Sequence, residues 1–229
     1  MLSVTNLIGG GASSGAASVL SLTFNAGDYF FPQAASGTIS NVNIGAASAD
    51  RIVVIFIAGN FPPTSGTIGG VSATVEATTG GLGTFTHIMW ANVTTGTSAD
   101  VFLQFSQSGT YALQSYSIYG TTAPSPTLYN AINNGDPATL NITTSGAAAV
   151  LAGCSTWDSG GGLTGSNSYT WSGSAGVVED YDSSVPGYIN NPLSGASVIA
   201  ESALSSASVT VDYTVNSGPT VTQAIITWE

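Results

Sequence analysis

Lysine is missing from all 229 residues, and one arginine and one histidine stand against twelve carboxylates, for a formal net charge of −11. Nucleic-acid binding uses Lys and Arg to release counterions from phosphates, and attraction to anionic lipid uses the same charges. Both partners are excluded. A phosphate-binding loop of the Gly-Lys-Ser/Thr kind also needs a lysine, so phosphoryl transfer by that route is set aside. An isopeptide cross-link with this chain as lysine donor is ruled out for the same reason. An acidic chain with almost no cations implies a saline setting that screens self-repulsion, or a neighbouring subunit that is less acidic.

Cysteine and histidine are equally scarce. Cys154 is alone, so no intrachain disulfide can form, and its neighbours Ala148, Ala149, Val150, Leu151 and Ala152 predict a small, buried, inert thiol. His87 is the sole candidate base, and the pattern "TFTHIMWANV" predicts a strand with Phe85 and Met89 on its face and Ile88 and Trp90 on the other. Zinc needs three or four His/Cys-type ligands and finds two, far apart. Long apolar runs are missing too, so no segment reaches membrane-spanning length. The opening residues lack the positive n-region and compact apolar core of a secretory signal. A soluble product made in the host cytoplasm is expected.

What the chain has in quantity is apolar and small polar residues: 43% are apolar and 6% charged, a globular profile and not a disordered one. Fourteen short runs rich in Val, Ile, Thr, Tyr and Phe lie between residues 18–24 and 221–228, and none shows a helical stripe. In "SVTVDYTV" Val209, Val211, Tyr213 and Val215 alternate with polar residues, as on a half-solvated strand. "RIVVIFIAG" and "AAAVLAGC" do not alternate and read as central strands covered on both faces. The expected fold is all-β: an antiparallel, jelly-roll-like β-sandwich over residues 18–229, with Ile55, Ile57, Trp90, Val150 and Trp228 in the core. Ahead of it, residues 1–17 form an N-terminal arm, in which Leu2, Val4, Leu7 and Ile8 are joined to the sandwich by a Gly/Ala/Ser-rich segment. Ordering that segment costs roughly 1–2 kcal/mol per residue, so the arm gains from order only when a partner buries it.

Three groups are candidates for a site. Arg51, beside Asp50 at the entrance to an apolar strand, is expected to act as a structural clamp on exposed carbonyls, on Asp50 or on a carboxylate across the sheet. "VVEDYDSS" gathers Glu179, Asp180 and Asp182; on a regular strand the two aspartates would share a face at roughly 6–7 Å. That spacing leaves three readings: a solvated rim, a Ca2+ site on Asp180 and Asp182, or a glycosidase pair. Finally Trp157, Tyr169, Trp171, Tyr181 and Tyr188 could form a platform stacking on sugar rings, against the more usual fate of such residues in the core.

The order "GTISNVNIGAASADRIVVIFIAGN", "GTIGGVSATVEATT", "FTHIMWANVTTGTSADVFLQFSQSGTYALQSYSIYGTT", "AAAVLAGCSTW", "YTWSG", "VVEDYD" and "VTQAIITW", over residues 37–228, resembles a group of β-sandwich proteins encoded in tailed-bacteriophage structural gene clusters. The chain departs from that group at Glu179, where a basic residue is common, and in its loss of Lys and Arg. The resemblance implies a non-enzymatic virion component without cofactor: a capsid decoration or cement protein, or a fibre or tail-associated protein. Its partners would be other virion proteins and copies of itself, met through the arm. The alternative is a carbohydrate-binding or glycan-processing module that recognises a host-surface glycan.

Overall fold

The computed structural model describes residues 19–76, 78, 80–81, 84–123, 125–133, 137–157, 168–182, 193–214 and 220–229. The arm residues Leu2, Val4, Leu7 and Ile8 therefore lie outside the described residues. In chain order the strands are β1 (Ser21–Asn43), β2 (Ile52–Gly59), β3 (Pro63–Ile68), β4 (Val71–Ser72), β5 (Thr74–Glu76), β6 (Gly80–Gly81), β7 (Thr84–Asn92) and β8 (Ser98–Tyr119). They continue as β9 (Thr127–Asn133), β10 (Ala138–Ile142), β11 (Ala148–Trp157), β12 (Ser168–Ser172), β13 (Val178–Asp182), β14 (Leu193–Ala200), β15 (Ala207–Thr214) and β16 (Thr220–Trp228). Every pairing is antiparallel. The fold is an all-β assembly of sheets packed face to face, as the composition predicts.

Three sheets carry the strands. The first, in order β4-β3-β8-β2-β7-β5 with β1 on β8 and β6 on β7, comes from the N-terminal half; β13-β14-β11-β16-β9 and β10-β15-β12 come from the C-terminal half. The first sheet folds over on itself. The early part of β8 pairs with β3, its later part with β2, and β1 follows it through both parts with several register shifts. At the bend the rings of Phe105 and Tyr111 stack with centroids 3.5 Å apart. One apolar core fills this fold: Ile68, Val101 and Leu103 meet Val53, Ile55, Ile57 and Met89. A second lies between the two C-terminal sheets, where Val150, Ala152, Cys154 and Ile225 face Tyr169, Trp171, Val209 and Val211. The third joins the halves, with Val54, Phe56, Ile88 and Tyr116 against Leu151, Ala224, Ile226 and Trp228.

The layering explains the two runs without alternation. Every residue of β2 is buried, because Val53, Ile55 and Ile57 point into one core while Ile52, Val54, Phe56 and Ala58 point into another. Likewise β11 sends Val150, Ala152 and Cys154 one way and Ala149 and Leu151 the other. Where these two central layers meet, Phe56 occupies the space that a Cβ on Gly153 would need, at 2.4 Å from its ring. Trp90 and Trp228 close the same interface edge to face at 5.3 Å.

Candidate functional site

Arg51 is 0% exposed, and its guanidinium donates to six main-chain carbonyls. Nε reaches Val93 O at 2.6 Å; Nη2 reaches Thr95 O at 2.7 Å. Nη1 lies 2.8–3.1 Å from the carbonyls of Ile44, Gly45, Ala46 and Gly96, so its two hydrogens are shared among four acceptors. The carbonyls belong to two loops, the exit of β1 and the β7–β8 turn. Gly45 and Gly96 take φ of 73° and 72°, values that let each loop bring its oxygens inward without a Cβ clash. Arg51 thus clamps two loops to the start of β2.

Asp50 is not its partner. The Asp50 carboxylate accepts from the Ser48 hydroxyl and, at 2.9 Å, from Gly120 N, and the Ser48 hydroxyl followed by that amide holds its carboxyl below the usual range. The expected Arg51–Asp50 contact gives way because carbonyls at the loop ends lie closer to the buried guanidinium. Asp50 instead ties the end of β8.

The acidic segment differs from its expectation too. A bulge in β13 shifts the register between Glu179, opposite Ala196, and Tyr181, opposite Gly195. The extra residue is Asp180, which turns toward Tyr116 and Ser197, while Asp182 turns to Ser194 and the amide of Tyr169 at 3.1 Å. The two aspartates therefore face different layers and do not share the face that a regular strand would give them. Burial raises both carboxyls, offset in part by Ser197 and Tyr116 for Asp180 and by Ser194 and Tyr169 for Asp182. A calcium ion bridging Asp180 and Asp182, or a glycosidase pair made of them, would need the two carboxylates to leave these separate partners and turn toward each other. Among the described residues no three His, Cys, Asp or Glu side chains converge as a metal site.

The aromatic platform is likewise dismantled. Tyr169 and Trp171 are 3% and 7% exposed, since β12 alternates buried aromatics with exposed Ser168, Thr170 and Ser172. Their polar tips are satisfied internally, Tyr169 with Thr156 Oγ1 at 2.8 Å and Trp171 Nε1 with Ser194 Oγ at 2.8 Å. Tyr181 stacks on Phe24 at 5.8 Å. Tyr188 and the side chain of Trp157 lie outside the described residues. Cys154 is fully buried, and burial followed by Asp182 pushes its thiol up, away from thiolate chemistry.

Two further groups carry no signal in the sequence. Where the central layers meet, Gln114 and the Tyr116 hydroxyl crowd against Gly195, whose missing Cβ would lie 2.3 Å from Gln114 Nε2 and 2.5 Å from the hydroxyl. Both amide atoms of Gln114 are buried without a hydrogen-bond partner. Burial, then Asp180, drives the Tyr116 hydroxyl well above its usual range. The second group is a cavity of about 290 Å³ between β3, β5 and β7, walled by Pro62, Pro63 and Val75 with Thr64, Glu76, Thr78 and His87. His87 Nδ1 is 2.7 Å from Thr78 Oγ1, its ring stacks on Phe85 at 5.1 Å, and burial pushes it down to about 3. Glu76 accepts from Trp90 Nε1 at 2.6 Å. Only convergence of β5 and β7 in space brings Glu76 and His87 together, and spacing along the chain does not announce it. No family model matches the chain, and no curated protein or solved structure is found to be similar to it.

Proposed function

We propose that this chain is a non-enzymatic structural component of a tailed-phage virion, a capsid decoration or cement protein or a fibre-type protein, docked through its N-terminal arm. The observation that supports the reading is how the reactive groups are used. Arg51 binds loops, Cys154 is sealed in a core, and the aspartates of β13 are separated by a bulge. Such an arrangement suits a rigid body better than a reacting centre. The carbohydrate-module alternative loses Tyr169 and Trp171 to the core.

The test is incorporation into particles. Virions made with the full chain should contain it in stoichiometric amount by mass spectrometry, and particles lacking it should lose regular knobs or fibres in electron micrographs. Deletion of residues 1–17 should leave the thermal midpoint intact and abolish incorporation. A full chain that stays out of purified virions overturns the reading; a truncated chain that enters normally overturns the role of the arm.

A further inference from the structure

Glu76 has no countercharge among the described residues. Its one described partner, the Trp90 indole, donates a hydrogen bond but carries no charge. His87, the other titratable group lining the cavity, is pushed down to about 3 by burial and is neutral near pH 7. Among the described residues no free cation faces it. The chain has no lysine, and its one arginine is fully buried and committed to six carbonyls. Glu76 is therefore open to a cation from another molecule.

We propose that this cavity receives a lysine side chain of a partner protein, its ammonium on Glu76 and its methylene stem along Pro62, Pro63 and Val75. The size suffices, because about 290 Å³ is ample for one side chain and falls below the range of about 300–1,000 Å³ typical of pockets for larger small molecules. The walls fit as well, since a lysine stem packs on apolar surface while its head seeks charge. Arginine fits less well. Its planar fork binds a carboxylate best through both oxygens, and Oε1 of Glu76 is already engaged by Trp90 at 2.6 Å. A hard divalent ion would want six or more oxygen ligands, and the lining offers one carboxylate beside two threonines, two prolines, a valine and a histidine. Charge complementarity extends beyond the cavity, because a chain of net charge −11 favours a basic neighbour. The inference goes beyond the virion reading and does not depend on it, since any partner with an exposed lysine meets its terms.

The experiment titrates the ¹⁵N-labelled full chain with N-acetyl-lysine N-methylamide, followed by the norleucine analogue, which keeps a similar apolar stem and lacks the charge. The lysine compound should give saturable shifts at Thr64, Val75, Thr78 and the Trp90 indole N–H. Norleucine should bind about fivefold more weakly, as expected for one partly exposed charge pair. Glu76→Gln, which keeps a carbonyl acceptor for Trp90, should weaken the lysine compound by a similar factor, and Glu201→Gln at an exposed site should not. Equal binding of the two analogues overturns the proposal without recourse to any variant. So do shifts spread evenly over the other carboxylates, or an absence of saturable shifts. Because the readout is side-chain binding and not particle assembly, its failure and that of the virion reading are distinguishable.

Discussion

Arg51 and Gln114 are both fully buried, yet they sit in opposite circumstances. The guanidinium donates to six carbonyls, whereas the amide of Gln114 meets no hydrogen-bond partner at either atom. Burial alone does not decide what a polar group contributes; the contribution comes from the partners that burial supplies. Arg51 has them because two glycine-bearing loops turn their oxygens inward. Gln114 lacks them because it points from the middle of one sheet at the glycine backbone of another.

The largest effect should come from breaking the satisfied side of this comparison. Arg51→Met leaves buried carbonyls without donors and should cost about 3–5 kcal/mol. For a chain of this size that lowers the thermal midpoint by roughly 6–20 °C, measurable by calorimetry. Arg51→Lys should recover part of the loss, since an ammonium supplies three donors without the planar reach of the fork.

Next comes His87, which belongs with Gln114 because its Nε2 is buried and unpartnered. Its folded pKa, down to about 3, lies below the ordinary value of 6.5, so the unfolded chain takes up the proton first. Stability present above pH 6.5 should therefore drain away as the pH falls toward 3, at up to about 1.4 kcal/mol per pH unit. Asp180 and Asp182 act in the opposite sense: their raised carboxyls favour the folded state as they protonate. Thermal midpoints from pH 7 to 5 should fall in the native chain and fall less in His87→Gln; equal slopes would show that the imidazole does not control this range.

The smallest effect carries the most informative sign. Gln114→Met replaces an unpartnered amide by an apolar side chain of similar size, so stability should stay level or rise by up to about 1 kcal/mol. A loss above about 2 kcal/mol in chemical denaturation would mean that the amide is satisfied in solution, and the contrast with Arg51 would disappear.

Much of this was legible in the chain and some was not, for physical reasons. Ile52–Gly59 and Ala148–Trp157 show continuous apolar runs because each feeds two cores, and that pattern survives in one dimension. The alternation in β15 identified one buried face, but the matching alternation of β12 that buries Tyr169 and Trp171 was hidden among Gly, Ser and Asn. β9, "TLYNAIN", was not anticipated, because its asparagines mimic a loop and its pairing with β16 is long-range. The bulge at Asp180 was invisible for a similar reason: it is a register shift against β14, and register belongs to the pair of strands. The acceptors of Arg51 are main-chain oxygens, which every sequence has and none displays.

The position of β16 has a consequence for synthesis. It is the last of the sixteen described strands to leave the ribosome, yet it lies inside its sheet, between β11 and β9. At translation speeds of about 5–20 residues per second, the 71 residues from Trp157 to Trp228 take on the order of 4 to 14 s. Over that interval the N-terminal half can close its own core, while the face bearing Val54, Phe56, Ile88 and Tyr116 waits for its cover. The nascent protein thus carries a wide, sticky, half-finished surface for seconds, and holding chaperones should find it there.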